Sequence, residues 1–309
     1  MAVLIDPPRW PAHGTRFSHL VSDDSLAELL FFADANDVPA RAFDHDHYDV
    51  AERHYARLVD AGARAVPGSD LVRALVASGL RVRTPERTPK PAQVLPALRA
   101  EWAELLPDQS RIGQELLGRW QQPHRHYHDA RHLAQLLAAL RELCGGPPPR
   151  TLALAAWFHD AVHDGTAGAD ERASAELATS ELAAIGLPGA EVAEVARLVL
   201  LTIDHTAEPA DQRGVLLVDA DLSILGQPGG RYHYYSRGIR LEYPDLSDEI
   251  FASGRMQSLD RLLSKEPLFG SPSARRLWEV QARENLDLER LRWSKLVESD
   301  QAGTPGKNH

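Results

Sequence analysis

Four ionisable side chains crowd the segment "WFHDAVHDG" at 157–165, in surroundings otherwise rich in alanine and large apolar residues. Burying unpaired charge is costly, so His159, Asp160, His163 and Asp164 must be exposed, paired or bound to something. Six of the chain's fourteen histidines fall between residues 124 and 163, and this enrichment marks a candidate site. In "HYHDARHLAQLL" (126–137), His128 and His132 stand four apart, which on a helix places them on one face. On the same reasoning His163 follows His159 by one turn. Further on, "GVLLVDADLSILG" (214–226) sets Asp219 and Asp221 in a strongly apolar run, where a carboxylate needs a partner. Imidazole nitrogen and carboxylate oxygen suit a borderline or hard divalent metal. His132, His159, Asp160 and Asp221 would supply four ligands and leave positions for water and substrate. A metal held in this way can acidify a bound water and polarise a phosphoryl oxygen. One such feature means little, because a lone buried histidine is more often a hydrogen-bonded core residue than a ligand. Their joint order within helical segments is the signal. Whether Asp219 takes the place of Asp221 stays open from the residues alone.

These residues need elements to position them. "RVRTPERTPKPAQVLP" (81–96) has four prolines, alternating charge and few apolar residues, and reads as a linker over 84–95. Beyond it the pattern has helical period nearly throughout, with helices expected around 93–106, 110–121, 128–143, 150–163, 170–185, 189–204, 211–225, 231–242, 247–265 and 273–297. That defines an all-α domain over 96–298, and the tail 299–309 is expected to be disordered. Before the linker, residues 1–83 alternate short apolar runs with helical stretches: "AVLIDPP", "PARAFD" and "ARAVP" as strands, and 25–36, 51–62 and 69–80 as helices, with Ser25 an N-cap. The β-α-β-α-β-α order predicts a small α/β domain with a mainly parallel sheet.

With the motifs in place, a resemblance emerges. "HRHYHDARH", "AAWFHDAVHDG", "DERASAELA", "LLVDADLSILG" and "GIRLEYPDLSDEIFASGR" resemble the HD superfamily of metal-dependent phosphohydrolases over roughly residues 110–298. Within it they are closest to a bacterial subgroup of predicted phosphohydrolases of about 200 residues, while "YHDARH" and "ADLS" are similar to segments of cyclic-nucleotide phosphodiesterases. The resemblance implies that His132, His159, Asp160 and Asp221 bind metal and that His128 is the proton donor. Asp129 departs from the pattern, which usually has Asn there. The implied activity is hydrolysis of a phosphate ester or anhydride in a small nucleotide-like or phosphorylated metabolite. Mn²⁺, Fe²⁺, Mg²⁺, Zn²⁺, Ni²⁺ and Co²⁺ all fit such ligands. Two other readings are kept: a nucleotide- or metal-binding sensor or scaffold without turnover, and an HD-type di-iron oxygenase. Oxygenases of that group add two histidines between the HD pair and the last Asp, whereas this chain offers only His205 between His163 and Asp221.

Neighbouring residues carry alternatives. His163 orients a water, approaches a second metal, or caps its helix against a carbonyl. His205 reaches the same cavity or closes a helix end. Glu171 orients the nucleophilic water, or with Asp170 simply favours the start of its helix. Arg240 in "YSRGIRLEYPD" grips phosphate, or pairs with an acid. In the first domain, "MAVLIDPPRWPAHGTRFSHLVSD" and "RAFDHDHYDVAERHYARLVDAGARAV" resemble the bacterial domain of unknown function 4031, which implies no activity. A polar pocket from Asp6, Arg9, His19, Asp44 and His47 is conceivable there, against the alternative of a solvated turn.

Composition narrows the classes. A net charge of −10 with scattered arginines argues against general nucleic-acid binding. The single cysteine, Cys144, excludes an intrachain disulfide framework and a multi-thiolate zinc site. "MAVLIDPPRW" lacks the basic and long apolar regions of a signal peptide, and no membrane span is apparent, so a cytoplasmic protein is expected. The expected partner is a small phosphorylated substrate, and a homodimer is the default oligomeric state.

Overall fold

The computed structural model describes residues 1–303, with side chains through Lys295. The chain divides into two compact units: Met1–Arg87 with Pro228–Tyr234, and Thr88–Gln227 with Tyr235 onward. The first is a small mixed α/β unit and the second is a helical region of about 200 residues.

In the first unit the order is β1 (Val3–Ile5), β2 (Trp10–Ala12), β3 (Thr15–Ser22), α1 (Leu26–Ala35), β4 (Phe43–Asp44), β5 (His47–Ala51), α2 (Tyr55–Asp60), β6 (Arg64–Ala65) and α3 (Gly68–Ala77). The main path of the sheet runs β4-β5-β3-β1-β6, with β2 paired to β3. The mainly parallel sheet expected from the sequence is corrected here. Only β1 and β6 pair in parallel, while β1–β3, β2–β3, β3–β5 and β4–β5 are antiparallel. The difference traces to β3, the longest strand and one that the sequence reading left unassigned. It turns back on β2 through His13 and Gly14, both at positive φ (47° and 75°), as a two-residue hairpin turn requires. Ser25 caps α1 as expected, its side chain accepting from the Glu28 N–H. Leu4, Val21, Leu71 and Leu75 close the core on one face of the sheet.

The second unit comprises α4 (Pro91–Leu105), α5 (Ser110–Arg119), α6 (Ala130–Cys144), α7 (Arg150–Phe158), α8 (Ala169–Ala184), α9 (Gly189–Leu200), α10 (Gln212–Asp221), α11 (Gly229–Leu241), α12 (Asp248–Leu263) and α13 (Pro272–Gly303), with α11 beginning in the residues assigned to the first unit. Residues 91–95, read as linker, are already the first turn of α4, where Pro91 starts the helix without needing its missing N–H. Residues 299–303, read as tail, continue α13, and 304–309 lie outside the described residues. None of the described helices is long and apolar enough to cross a membrane.

Two helix ends were misplaced by periodicity, and both matter. α7 stops at Phe158 rather than 163. Beyond it the backbone finds partners outside the helix: Arg125 donates to the carbonyls of Asp160 and Ala161, the Val162 N–H donates to Ser174 Oγ, and the Asp164 and Thr166 N–H groups donate to Asp170. Likewise α6 begins at Ala130, with Asp129 as N-cap, so His128 precedes the helix that carries His132.

Trp120 sits fully buried just past α5 and forms a wall behind these ends. Its indole N–H donates to the Trp157 carbonyl at 3.1 Å, and its ring lies 5.4 Å from the His159 ring and 6.2 Å from that of His132. Trp120→Ala should therefore remove a large buried surface and one buried hydrogen bond. The expected loss is about 3–5 kcal/mol, read as a lower urea midpoint of the helical circular dichroism signal.

Candidate metal centre

The end of α7, the first turn of α6 and the end of α10 bring His159, His132 and Asp221 together, all buried and with donor atoms mutually within 4.8 Å. His132 Nε2 lies 3.0 Å from His159 Nε2 and 3.1 Å from Asp221 Oδ1. Asp160 Oδ2 is 3.1 Å from His159 Nε2 and 3.7 Å from His132 Nε2. His159 Nδ1 donates to the Ala156 carbonyl at 2.8 Å, which turns its other nitrogen toward the cluster.

This donor set fits a divalent ion. Bonds of about 2.0–2.2 Å to nitrogen and oxygen place neighbouring donors roughly 3.0–3.5 Å apart, close to the separations seen. A single proton on one nitrogen satisfies one line between two atoms, whereas four lone pairs converge here from different directions. The electrostatics agree. Burial depresses the His159 imidazole, but Asp160 and Asp221 outweigh it and lift it to about 9. Burial works against the Asp160 and Asp221 charges too, yet the histidines hold both carboxyls well below their ordinary range. His132 is driven down, mainly by burial. The cluster thus draws positive charge into an apolar site.

Asp219 and Asp221 separate cleanly. Two residues apart on α10, they point to different sides. Asp219 accepts from the Gly270 and Ser271 N–H groups, both at 2.7 Å, just before α13, and takes no part in the cluster.

His132, Asp160 and Asp221 line a cavity of about 230 Å³, to which His128, His163, Glu171 and His205 also contribute. His128 Nδ1 is 2.7 Å from Glu242 Oε2, and His163 Nε2 is 3.6 Å from the same oxygen. In the sequence Glu242 reads only as an acid near Arg240, with no role at the site. Its Oε1 accepts from the backbone N–H groups of His126, Tyr127 and His128, at 2.7–2.9 Å. Burial opposes its charge, but His128 and His163 keep it well below the usual carboxylate range. His128 is in turn raised by Glu242 against the effect of burial. The available signal was Gly238, four residues before Glu242 and near the end of α11. A Cβ there would lie 3.1 Å from the His126 carbonyl oxygen, so glycine lets the helix approach the 126–128 loop closely.

The remaining candidates have mixed placements. His205 Nε2 meets Asp221 Oδ2 at 3.0 Å and orients that carboxylate. Glu171 accepts from the Gly168 N–H at 2.6 Å, as a helix-start residue does, while lining the cavity wall. His163 follows the end of α7 in a loop, where its carbonyl takes a hydrogen bond from His124. Arg240 is not among the cavity-lining residues. Its guanidinium is bonded to Asp248 and to the carbonyls of Tyr243 and Leu246. Arg255, Arg261 and Lys265, which the sequence did not single out, line the cavity instead.

Among known proteins, residues 3–78 match the family model described as a protein of unknown function (DUF4031). That match lies within the first unit. No curated protein and no solved structure matches the chain.

The two aspartates of α10 provide a controlled comparison. Asp221→Asn should lower the metal content of the purified protein by about one ion per chain. Asp219→Asn should leave metal content intact and lower stability by about 1–3 kcal/mol, because it weakens a buried acceptor of two N–H groups.

Proposed function

We propose that the helical unit is a metal-dependent phosphohydrolase of the HD type, acting on a phosphate ester or anhydride of a small nucleotide-like or phosphorylated metabolite. The observation that carries this reading is the pairing of the buried His132/His159/Asp221 cluster and the adjoining Asp160 with a His128–Glu242 dyad whose histidine lines the same cavity as His132, Asp160 and Asp221. When bound, a divalent ion in that donor set supplies Lewis-acid polarisation of a phosphoryl oxygen and an acidified water.

The chain's own residues do the rest. Glu242 binds His128 Nδ1, which leaves Nε2 as the nitrogen that gives a proton to the leaving oxygen. Three backbone N–H groups anchor the same glutamate, so the imidazole is fixed before substrate arrives. Arg261 and Lys265 bring positive charge to the cavity wall, suited to an anionic substrate. His205 holds Asp221 from the side away from His132.

A second reading, with two metals, has one observation in its favour: the donor atoms of His128, His163 and Glu242 also lie within 4.8 Å of one another. The 2.7 Å contact between His128 and Glu242 weighs against it. That separation is a hydrogen bond, shorter than the spacing of two donors around one ion.

His128→Gln should retain the helical unit's metal and slow hydrolysis of an alkyl phosphate, such as a nucleoside 5′-monophosphate, by about 10²–10⁴-fold. Hydrolysis of p-nitrophenyl phosphate should fall far less, because nitrophenolate departs without protonation. Equal losses on both substrates would remove His128 from the acid role. His159→Ala and Asp160→Ala should abolish metal binding at this centre together with turnover. Nucleotide binding by the wild type without any product would favour the sensor reading.

A further inference from the structure

The α/β unit carries its own convergence of donors, independent of the helical centre. Strand alternation places His47 and Asp49 on the same face of β5. The antiparallel register sets His19 of β3 directly opposite Asp49. The three side chains therefore share one sheet face, while Ser18, Leu20, Tyr48 and Val50 turn to the other and are buried. His47 Nε2 lies 3.5 Å from Asp49 Oδ1, and His19 Nε2 lies 3.9 Å from the same oxygen. Both are longer than a good hydrogen bond; the first matches the spacing of neighbouring donors around an ion bound at about 2.1 Å, and the second is slightly wider than it.

Each imidazole is also held from behind. His19 Nδ1 meets Asp6 Oδ2 at 3.1 Å, and Asp6 fixes the strand as well, its Oδ1 accepting from the His19 N–H at 2.6 Å. His47 Nδ1 meets Asp46 Oδ1 at 2.7 Å, and the Asp46 side chain has no exposed surface. A buried carboxylate on Nδ1 fixes the tautomer that leaves Nε2 as the outward donor, the arrangement that supports metal-binding histidines. Two such pairs, with their free nitrogens aimed at one carboxylate, go beyond what the sheet needs for stability. Asp49 is half exposed, which gives an ion a route in and leaves coordination positions for other ligands; it also borders a cavity of about 290 Å³ that neither histidine lines.

We propose that His19, His47 and Asp49 form a second metal site that takes a divalent first-row transition ion, with Asp6 and Asp46 as the groups that orient its histidines. Two imidazoles to one carboxylate favour Zn²⁺, Co²⁺ or Fe²⁺ over Mg²⁺ or Ca²⁺, which prefer oxygen.

The test uses the full chain, stripped by chelator and titrated with Zn²⁺ in equilibrium dialysis, beside Asp49→Ala and Asp221→Ala. The expected result is that Asp49→Ala, whose half-exposed side chain the fold does not require, loses one tight equivalent and binds there at least ten-fold more weakly. Asp221→Ala should keep that equivalent. If the helical centre holds no metal, the wild type binds one equivalent and Asp49→Ala binds none, so failure of the two readings can be told apart. Identical stoichiometry and affinity in wild type and Asp49→Ala would overturn the proposal. Asp49→Asn serves the same comparison should the alanine variant lose its circular dichroism signal.

Discussion

Two imidazoles and two carboxylates with donor atoms 3.0–3.7 Å apart inside the helical unit impose one requirement, shared positive charge at their centre. Much of the second unit answers to it. The carboxylates hold their charge against burial because the histidines face them, and the carboxylates in turn raise His159, while burial prevails at His132. Around this core sit residues whose work is to aim the donors. The Ala156 carbonyl fixes His159, His205 fixes Asp221, and Arg125 closes the turn that carries Asp160. An isolated ion pair in such surroundings contributes little net stability, and removal of one partner leaves the other exposed to the full cost of burial.

The parts of the molecule written in local spacing could be read from the sequence. Helices with an apolar stripe, such as α6 and α9, are visible by their period; His159 and Asp221 are visible as polar residues inside apolar stretches, and His132 by its spacing from His128. What depends on distant partners is not. The end of α7 is set by Arg125, Ser174 and Asp170, which lie outside the pattern that predicts the helix. Glu242 is more than a hundred residues from the loop it binds, and in the sequence it looks like any surface glutamate near an arginine. The β3 strand failed for a different reason. "TRFSHLVS" mixes polar and apolar residues because its two faces meet different surroundings, and one of them carries His19.

The two units use the same chemical device on different scaffolds. In the helical unit the donors come from three helix ends, where a single position on each helix must be aimed inward. In the α/β unit the pleat does the aiming, since alternate residues of β5 and a facing residue of β3 fall on one side without any helix terminus. Carboxylates hold His19 and His47 from behind, as a backbone carbonyl holds His159. The model of a family of unknown function matches residues 3–78, and this sheet face lies within that segment.

The spacing of Asp219 and Asp221 has a mechanical consequence. One side of α10 is pinned to the start of α13 by two hydrogen bonds, and the other side presents a donor to the cluster. The C-terminal helix therefore acts as an alignment stop for a residue fifty positions upstream. A shortened chain ending before Gly270 would keep every clustered histidine and aspartate in its sequence. It would still present Asp221 from a helix that had lost its reference point, and the first casualty would be the accuracy of the donor geometry rather than its composition.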